Sequence, residues 1–288
     1  MSDSTPIPNC QAYDPSIANE YGYRPSLAAG IVFCALFGVS MILHTVQATF
    51  QRTWWCYVFS VGCLVEILGW AGRTWSAACP YDLNAFLMQI ATLIIAPTFF
   101  TAGTYVILGQ FIQFIGPESS FLTPNLYLWV FCTCDIISLV VQAIGGGMAA
   151  TALSANSDTT PGTDIMVAGV VFQMAAITVF LACAVDFMHR VMRRRLAYLI
   201  TREMRVLLAA TAFSITCVYV RSIYRTIELV QGWTGYLITH ERYFIALDGA
   251  MMAAAVGVFN LIHPGRLSSP AGGRRTYTVR WGQVLSSR

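Results

Sequence analysis

RSIYRTIELVQGWTGYLITHERYFIALD, residues Arg221–Asp248, places Arg221, Arg225, Glu228, Glu241, Arg242 and Asp248 between two apolar runs. Arg221, Arg225 and Glu228 fall at i, i+4 and i+7, so a helix carries all three on one face over about 10 Å of its axis. Charges inside a lipid-spanning segment are costly, and they turn toward a bundle interior or a cavity. The remaining segments are then the wall around that face.

The whole chain supports a lipid setting. Of its 288 residues 56% are hydrophobic and only 11% charged, against about 25% charged in a soluble domain, and mean hydropathy is +0.61. Apolar segments recur at 25–46, 54–72, 84–112, 124–149, 163–188, 206–229 and 242–262, each near the length that crosses a bilayer as a helix. The fold class expected is all-α, a polytopic bundle of seven transmembrane helices. Pro97 should kink the third segment, Gly145–Gly147 should weaken the outer end of the fourth, and His263-Pro264-Gly265 should stop the seventh. Gly249, Ala253 and Gly257 form a small-residue stripe that admits a close neighbour.

All 17 basic residues are arginine. Without lysine the chain cannot hold retinal or pyridoxal phosphate as a Schiff base, and it has no phosphate-loop lysine. Transport, if any, is then passive or gradient-coupled. Residues 1–24 are polar, lack the apolar centre of a signal peptide and read as an exposed tail. No internal repeat argues for an inverted-repeat transporter.

Arginine placement orients the chain. Arg190, Arg193, Arg194, Arg195, Arg202 and Arg205 follow the fifth segment, and Arg266, Arg274, Arg275, Arg280 and Arg288 lie in the tail. Both regions belong on the cytoplasmic side of seven spans. The expected domains are an extracellular tail (1–24), a seven-helix transmembrane domain (25–265) and a cytoplasmic tail (266–288). The stretch 190–205 reads as a positive-inside anchor lying at the headgroups, with specific recognition of an anionic lipid as the weaker alternative. Cys10 and Cys79 are the two cysteines this topology leaves outside, so the oxidising compartment favours a disulfide between them.

Orientation gives each buried polar residue a depth. Glu66 and Arg73 are seven apart on the second segment, and Asp135 and Gln142 are seven apart on the fourth. With Arg221, Arg225 and Glu228 on the sixth and Asp248 on the seventh, four spans present polar groups in the outer half, which is the pattern of a polar chamber. Two readings stand. The charges clamp helices and fix register, or they form a head-group site in which arginine suits phosphate or carboxylate and the carboxylates suit an amine. No histidine pair or cysteine spacing marks a metal site, and no cofactor is implied. Trp54, Trp55, Trp70, Trp75, Trp129 and Trp233 read as an interfacial belt.

EILGWAGR (66–73), DIISLVVQAIGGG (135–147) and RSIYRTIE (221–228), with ALDGAMM (246–252), NLIHPG (260–265), YDPSIAN (13–19) and LHTVQ (43–47), resemble the fungal RTA1-like family of lipid-translocating exporters. The likeness spans residues 13–265 and departs at Trp70, where the family commonly has tyrosine. It implies seven-span fungal membrane proteins linked to resistance to toxic amphiphiles, sphingoid-base release and, in one branch, porphyrin uptake. The motif residues it carries over are Glu66, Arg73, Asp135, Gln142, Arg221, Arg225, Glu228 and Asp248.

The function expected is binding and translocation or export of an amphipathic lipid-like molecule (sphingoid base, phospholipid or toxic amphiphile) at the plasma membrane, with another endomembrane as the alternative. The expected partners are such an amphiphile or a porphyrin-like molecule and the membrane lipids, not nucleic acid, and an oligomer is compatible. A seven-helix sensor or receptor is the first alternative, and a membrane-embedded lipid enzyme working through paired carboxylates is the second. With the Arg-rich connection inside, Ser154→Cys should react with an impermeant thiol reagent on intact cells and Ser268→Cys should not. Labelling at 268 refutes the topology.

Overall fold

Among the described residues seven helices are long and apolar enough to cross a membrane: α1 Leu27–Phe50, α2 Trp54–Ala78, α3 Leu83–Ile115, α4 Pro124–Ser154, α5 Thr160–Arg193, α6 Arg202–Val230 and α7 Glu241–Leu261. The structure, a computed structural model, describes residues 10–265 except 12, 18, 20, 117, 119, 156, 233 and 234, and for Ala197 the backbone alone. The expected Trp233 and the tail from Arg266 lie outside the described residues. No strand occurs among the described residues.

Local chemistry sets the helix starts. The Ser26 hydroxyl accepts from the Ala29 N–H, the Asp82 carboxylate from Asn84 and the Thr201 hydroxyl from Met204, which satisfies amides that have no carbonyl within the helix. Pro124 opens α4, where a missing N–H costs nothing. Most helices outrun their apolar segments by several residues. α4 continues to Ser154, through the three glycines. Gly145 serves close approach instead of ending the helix: a Cβ there would lie on the backbone of Gly162 and Met166 in α5.

The main core is rich in aromatic rings, including Phe33, Phe37, Phe59, Trp70, Phe100, Tyr105, Phe131, Phe180 and Phe259, and a smaller cluster of Met166, Val170 and Leu229 stands apart from it. Trp54 and Trp129 are exposed and Trp75 partly so, as suits lipid-facing indoles. Trp70 departs from the expected belt. It is fully buried and stacks on Phe33 with centroids 4.2 Å apart. Gly249 makes its room, since a Cβ there would overlap both rings. The small-residue stripe therefore divides, with Gly249 in the core and Ala253 and Gly257 lining a groove between α7 and α1.

Two sequence-distant seams close the bundle. At the end where α1 and α7 finish, Gln47 Nε2 donates to the Asn260 carbonyl at 2.9 Å, Asn260 Nδ2 to Ser40 Oγ at 2.7 Å, and His263 Nδ1 lies 2.9 Å from Gln51 Oε1. At the opposite end the described part of residues 1–24 is docked and is no exposed tail. Tyr21 is 4% exposed, Tyr81 OH takes a hydrogen bond from the Asp14 N–H at 2.9 Å, and a disulfide joins Cys10 to Cys79. The aromatic rings explain the docking, because Tyr21 packs edge-on against Phe86 of α3 at 5.1 Å, and apolar area removed from water holds the segment down.

Gly249→Val should destabilise the bundle by about 1–3 kcal/mol through overpacking, whereas Gly257→Val, where nothing lies within 4 Å of the added Cβ, should change little. Thermal unfolding of both variants in detergent measures the contrast, and equal losses would refute the Trp70 packing.

Candidate functional site

Pro97 determines the position of one of the buried arginines. It interrupts no part of α3, which runs unbroken from Leu83 to Ile115, but proline has no N–H to give the carbonyl four residues back. That carbonyl belongs to Leu93, and Arg221 Nη2 donates to it instead. Arg221 Nε also donates to Asp248 Oδ1 at 2.5 Å. One guanidinium thus joins α3, α6 and α7. Asp248 lies in a π-helical turn, Ile245–Ala250, a widening of the helix that often occurs at functional sites.

One turn along α6, Arg225 Nη1 pairs with Glu228 Oε2 at 2.6 Å, and Tyr224 OH donates to Glu228 Oε1 at 2.8 Å. This ion pair stays within a single helix. Across from it, on α2, Glu66 is 1% exposed. Asp248, Arg221 and Arg225 are the charged groups that act on it. Around this layer Asp248 Oδ2 and Arg225 Nε and Nη2 are buried without a hydrogen-bond partner, and Glu66 Oε1 has no partner but the neighbouring indole N–H of Trp70, at the margin of hydrogen-bond geometry.

A second layer lies nearer the docked N-terminal segment. Arg73 Nη2 donates to Glu241 Oε1 at 2.8 Å and to Tyr23 OH at 2.7 Å, and Nη1 donates to Gln89 Oε1 at 3.3 Å. Glu241 Oε1 also accepts from the Ser26 N–H at 2.8 Å. Tyr21 OH donates to Gln89 Oε1 and hydrogen-bonds Ser76 Oγ, both at 2.9 Å, and the Tyr21 and Tyr23 rings face the Arg73 guanidinium at 5.5 and 5.7 Å. Burial pushes the Tyr23 hydroxyl up from its ordinary pKa, with Arg73 opposing, so the neutral phenol accepts the arginine's hydrogen bond. Phe244 separates the layers, its ring centroid 4.4 Å from Arg73 Cζ and 5.8 Å from Arg225 Cζ, which is cation–π geometry on both sides.

The eight expected residues do not form one chamber. Glu66, Arg73, Arg221, Arg225, Glu228 and Asp248 gather in these two layers. Asp135 stands apart: its Oδ2 accepts from Thr101 Oγ1 and Tyr105 OH of α3, both at 3.1 Å, with no arginine. Gln142 donates to Ser138 Oγ at 2.6 Å and to Gln173 Oε1 of α5 at 3.2 Å. The reason is topological, because α4 packs on α3 and α5, so its polar face looks at them and away from α6 and α7. Glu241, Tyr21, Tyr23, Gln89, Tyr224 and the Leu93 carbonyl were not expected at the site. Glu241 was visible as a charge at the same end of its span as Arg73, and Leu93 as the residue four before Pro97.

A seven-helix bundle with a charged, buried core defines a polytopic membrane protein. The chain belongs to the RTA1-like family, whose model, described as RTA1 like protein, matches residues 59–270. It is similar to the sphingoid long-chain base transporter RSB1 of Saccharomyces cerevisiae, 33% identical over 294 residues that cover 90% of this chain and 77% of the relative. Protein RTA1 of the same yeast is 28% identical (85% and 84% covered), and its protoporphyrin uptake protein 1 is 27% identical (84% and 90% covered). No solved structure matches the chain.

Removing one partner of a buried ion pair strands the other. Arg221→Leu or Asp248→Leu alone should cost about 3–5 kcal/mol, and the double variant should recover most of that. Denaturation of the purified protein in detergent gives the double-mutant cycle, and additive losses would show the pair uncoupled.

Proposed function

We propose that this protein binds an amphipathic lipid-like molecule and carries it across or within the plasma membrane, with the layer of Glu66, Arg221, Arg225, Glu228 and Asp248 as its head-group site. The observation that carries this reading is the Arg225–Glu228 pair. A clamp must join two helices, as Arg221–Asp248 and Arg73–Glu241 do. Arg225–Glu228 joins none, yet it keeps two charges deep in the bundle and leaves Arg225 Nε and Nη2 unpartnered. Those N–H groups suit a hydroxyl, phosphate or carboxylate oxygen, and the open oxygens of Glu66 and Asp248 suit an amine.

The tail has a place beside it. A groove of about 420 Å³ between α1 and α7 is lined by Val32, Leu36, Phe37, Ala253, Val256 and Gly257. Phe37 stacks toward Phe33, and Phe33 on Trp70, one helical turn from Glu66. An apolar path thus leads from the lipid-facing groove to the charged layer. The named activities of the yeast relatives, a sphingoid-base transporter and a porphyrin uptake protein, both concern amphiphiles with polar heads. On this reading residues 1–24 lie outside, the 25–265 bundle spans the membrane and 266–288 is cytoplasmic, so the Arg73 layer and the docked tail cover the outer mouth.

Arg225→Gln should weaken binding of a long-chain base about ten- to a hundredfold, the loss of one charge-assisted hydrogen bond, with the protein still folded and inserted. Asp135→Asn, outside the layer, should leave binding within about threefold, below the ~1 kcal/mol a neutral hydrogen bond carries. Ligand-dependent thermal shift compares the two, and unchanged stabilisation in Arg225→Gln moves the head-group site elsewhere.

A further inference from the structure

The charges of the core layer do not balance. Arg221 is matched by Asp248 and Arg225 by Glu228, and Glu228 gains a second hydrogen bond from Tyr224. Glu66 is the third carboxylate against two guanidiniums. It lies 1% exposed with no ion-pair partner among the described residues, the indole N–H of Trp70 is its neighbouring donor, and the like charge of Asp248 acts on it.

Neither α1 nor α3, the helices packed on α2, carries an arginine; Arg73, two turns along α2, is paired with Glu241, and Arg242 of α7 lies at its exposed end. On α1, Cys34 faces the Ile67 carbonyl and His44 the Val256 carbonyl. On α3, Tyr105 is bound to Asp135, and on α2 itself Cys63 is the nearby titratable group. An uncompensated carboxylate in an apolar bundle beside another carboxylate takes up a proton and becomes neutral.

We infer that Glu66 is a proton-exchange site: it holds a proton when the head-group layer is empty and releases it when a cationic amine head binds. The inference rests on the head-group reading above. The step balances as one O–H bond broken at Glu66, the proton passing to water, and the carboxylate left paired with the incoming ammonium. Net charge in the layer is then the same before and after, so the amine can enter without an added charge in the low-dielectric core. With neither ATP nor lysine chemistry available to the chain, this exchange would let a proton gradient drive export of an amine.

The test is calorimetric titration of dodecylamine into the purified protein at pH 7, in buffers of different ionisation enthalpy, which reads protons released per amine bound. Wild type should release about one, and Glu66→Gln, which lacks the carboxylate that pairs with the ammonium, should bind more weakly and release about none per amine bound. Binding with no release in wild type, or release unchanged in Glu66→Gln, overturns the exchange and leaves the head-group site standing. No binding by wild type overturns both. Should Glu66→Gln not fold or not bind, infrared difference spectra decide on wild type and Glu66→Asp. A carboxylic-acid C=O band must disappear on amine addition and be displaced in Glu66→Asp, and its persistence overturns the inference.

Discussion

Everything on the α2, α6 and α7 side of the bundle hangs on where Arg221 places its guanidinium. The group takes the carbonyl that Pro97 leaves unserved and the carboxylate that the π-helical turn of α7 presents. Each of these three irregularities would be a defect alone. A proline costs a helix a hydrogen bond, a widened turn loosens the ladder, and a buried arginine is expensive in lipid. Together they satisfy one another, and they fix α3, α6 and α7 at a depth where Arg225, one turn along, faces Glu66 and Asp248.

Above that layer the protein spends polar groups differently. Every partner of Arg73 is a fixed feature of the fold: Glu241 at the head of α7, Gln89 on α3, and Tyr23 from the segment before α1. This layer is a seal, held by a disulfide on one side and by the Ser26–Glu241 hydrogen bond on the other. The layer beneath keeps unpartnered oxygens and N–H groups. The Arg73 layer leaves one buried atom, Arg73 Nε, without a partner, and the layer beneath, across Phe244, leaves several. The more fully satisfied network rigidifies the bundle, whereas the less satisfied one carries a standing cost that a ligand can relieve.

Much of this was legible in the chain. Seven apolar runs, the missing lysine and the i, i+4, i+7 charges on α6 required a lipid-spanning helical bundle with a charged interior, because hydrocarbon tolerates neither unpaired backbone nor unpaired charge. The family motifs marked polar residues that the fold buries, Glu66, Arg73, Asp135, Gln142, Arg221, Arg225, Glu228 and Asp248. Pairing was not legible. HTVQ on α1 and NLIHPG at the end of α7 meet at one seam although Gln47 and Asn260 are 213 positions apart, and nothing local to either says so. Seven-residue spacing put Asp135 and Gln142 on one face of α4 but could not say which neighbour that face meets, and the answer is α3 and α5. Trp70 looked like an interfacial residue by its place near a span end and is instead a core ring seated over Gly249. Periodicity is a property of one helix and survives in the sequence. The facing of helices, the layer each charge joins and the carboxylate left without a partner are properties of packing, which only the tertiary structure decides.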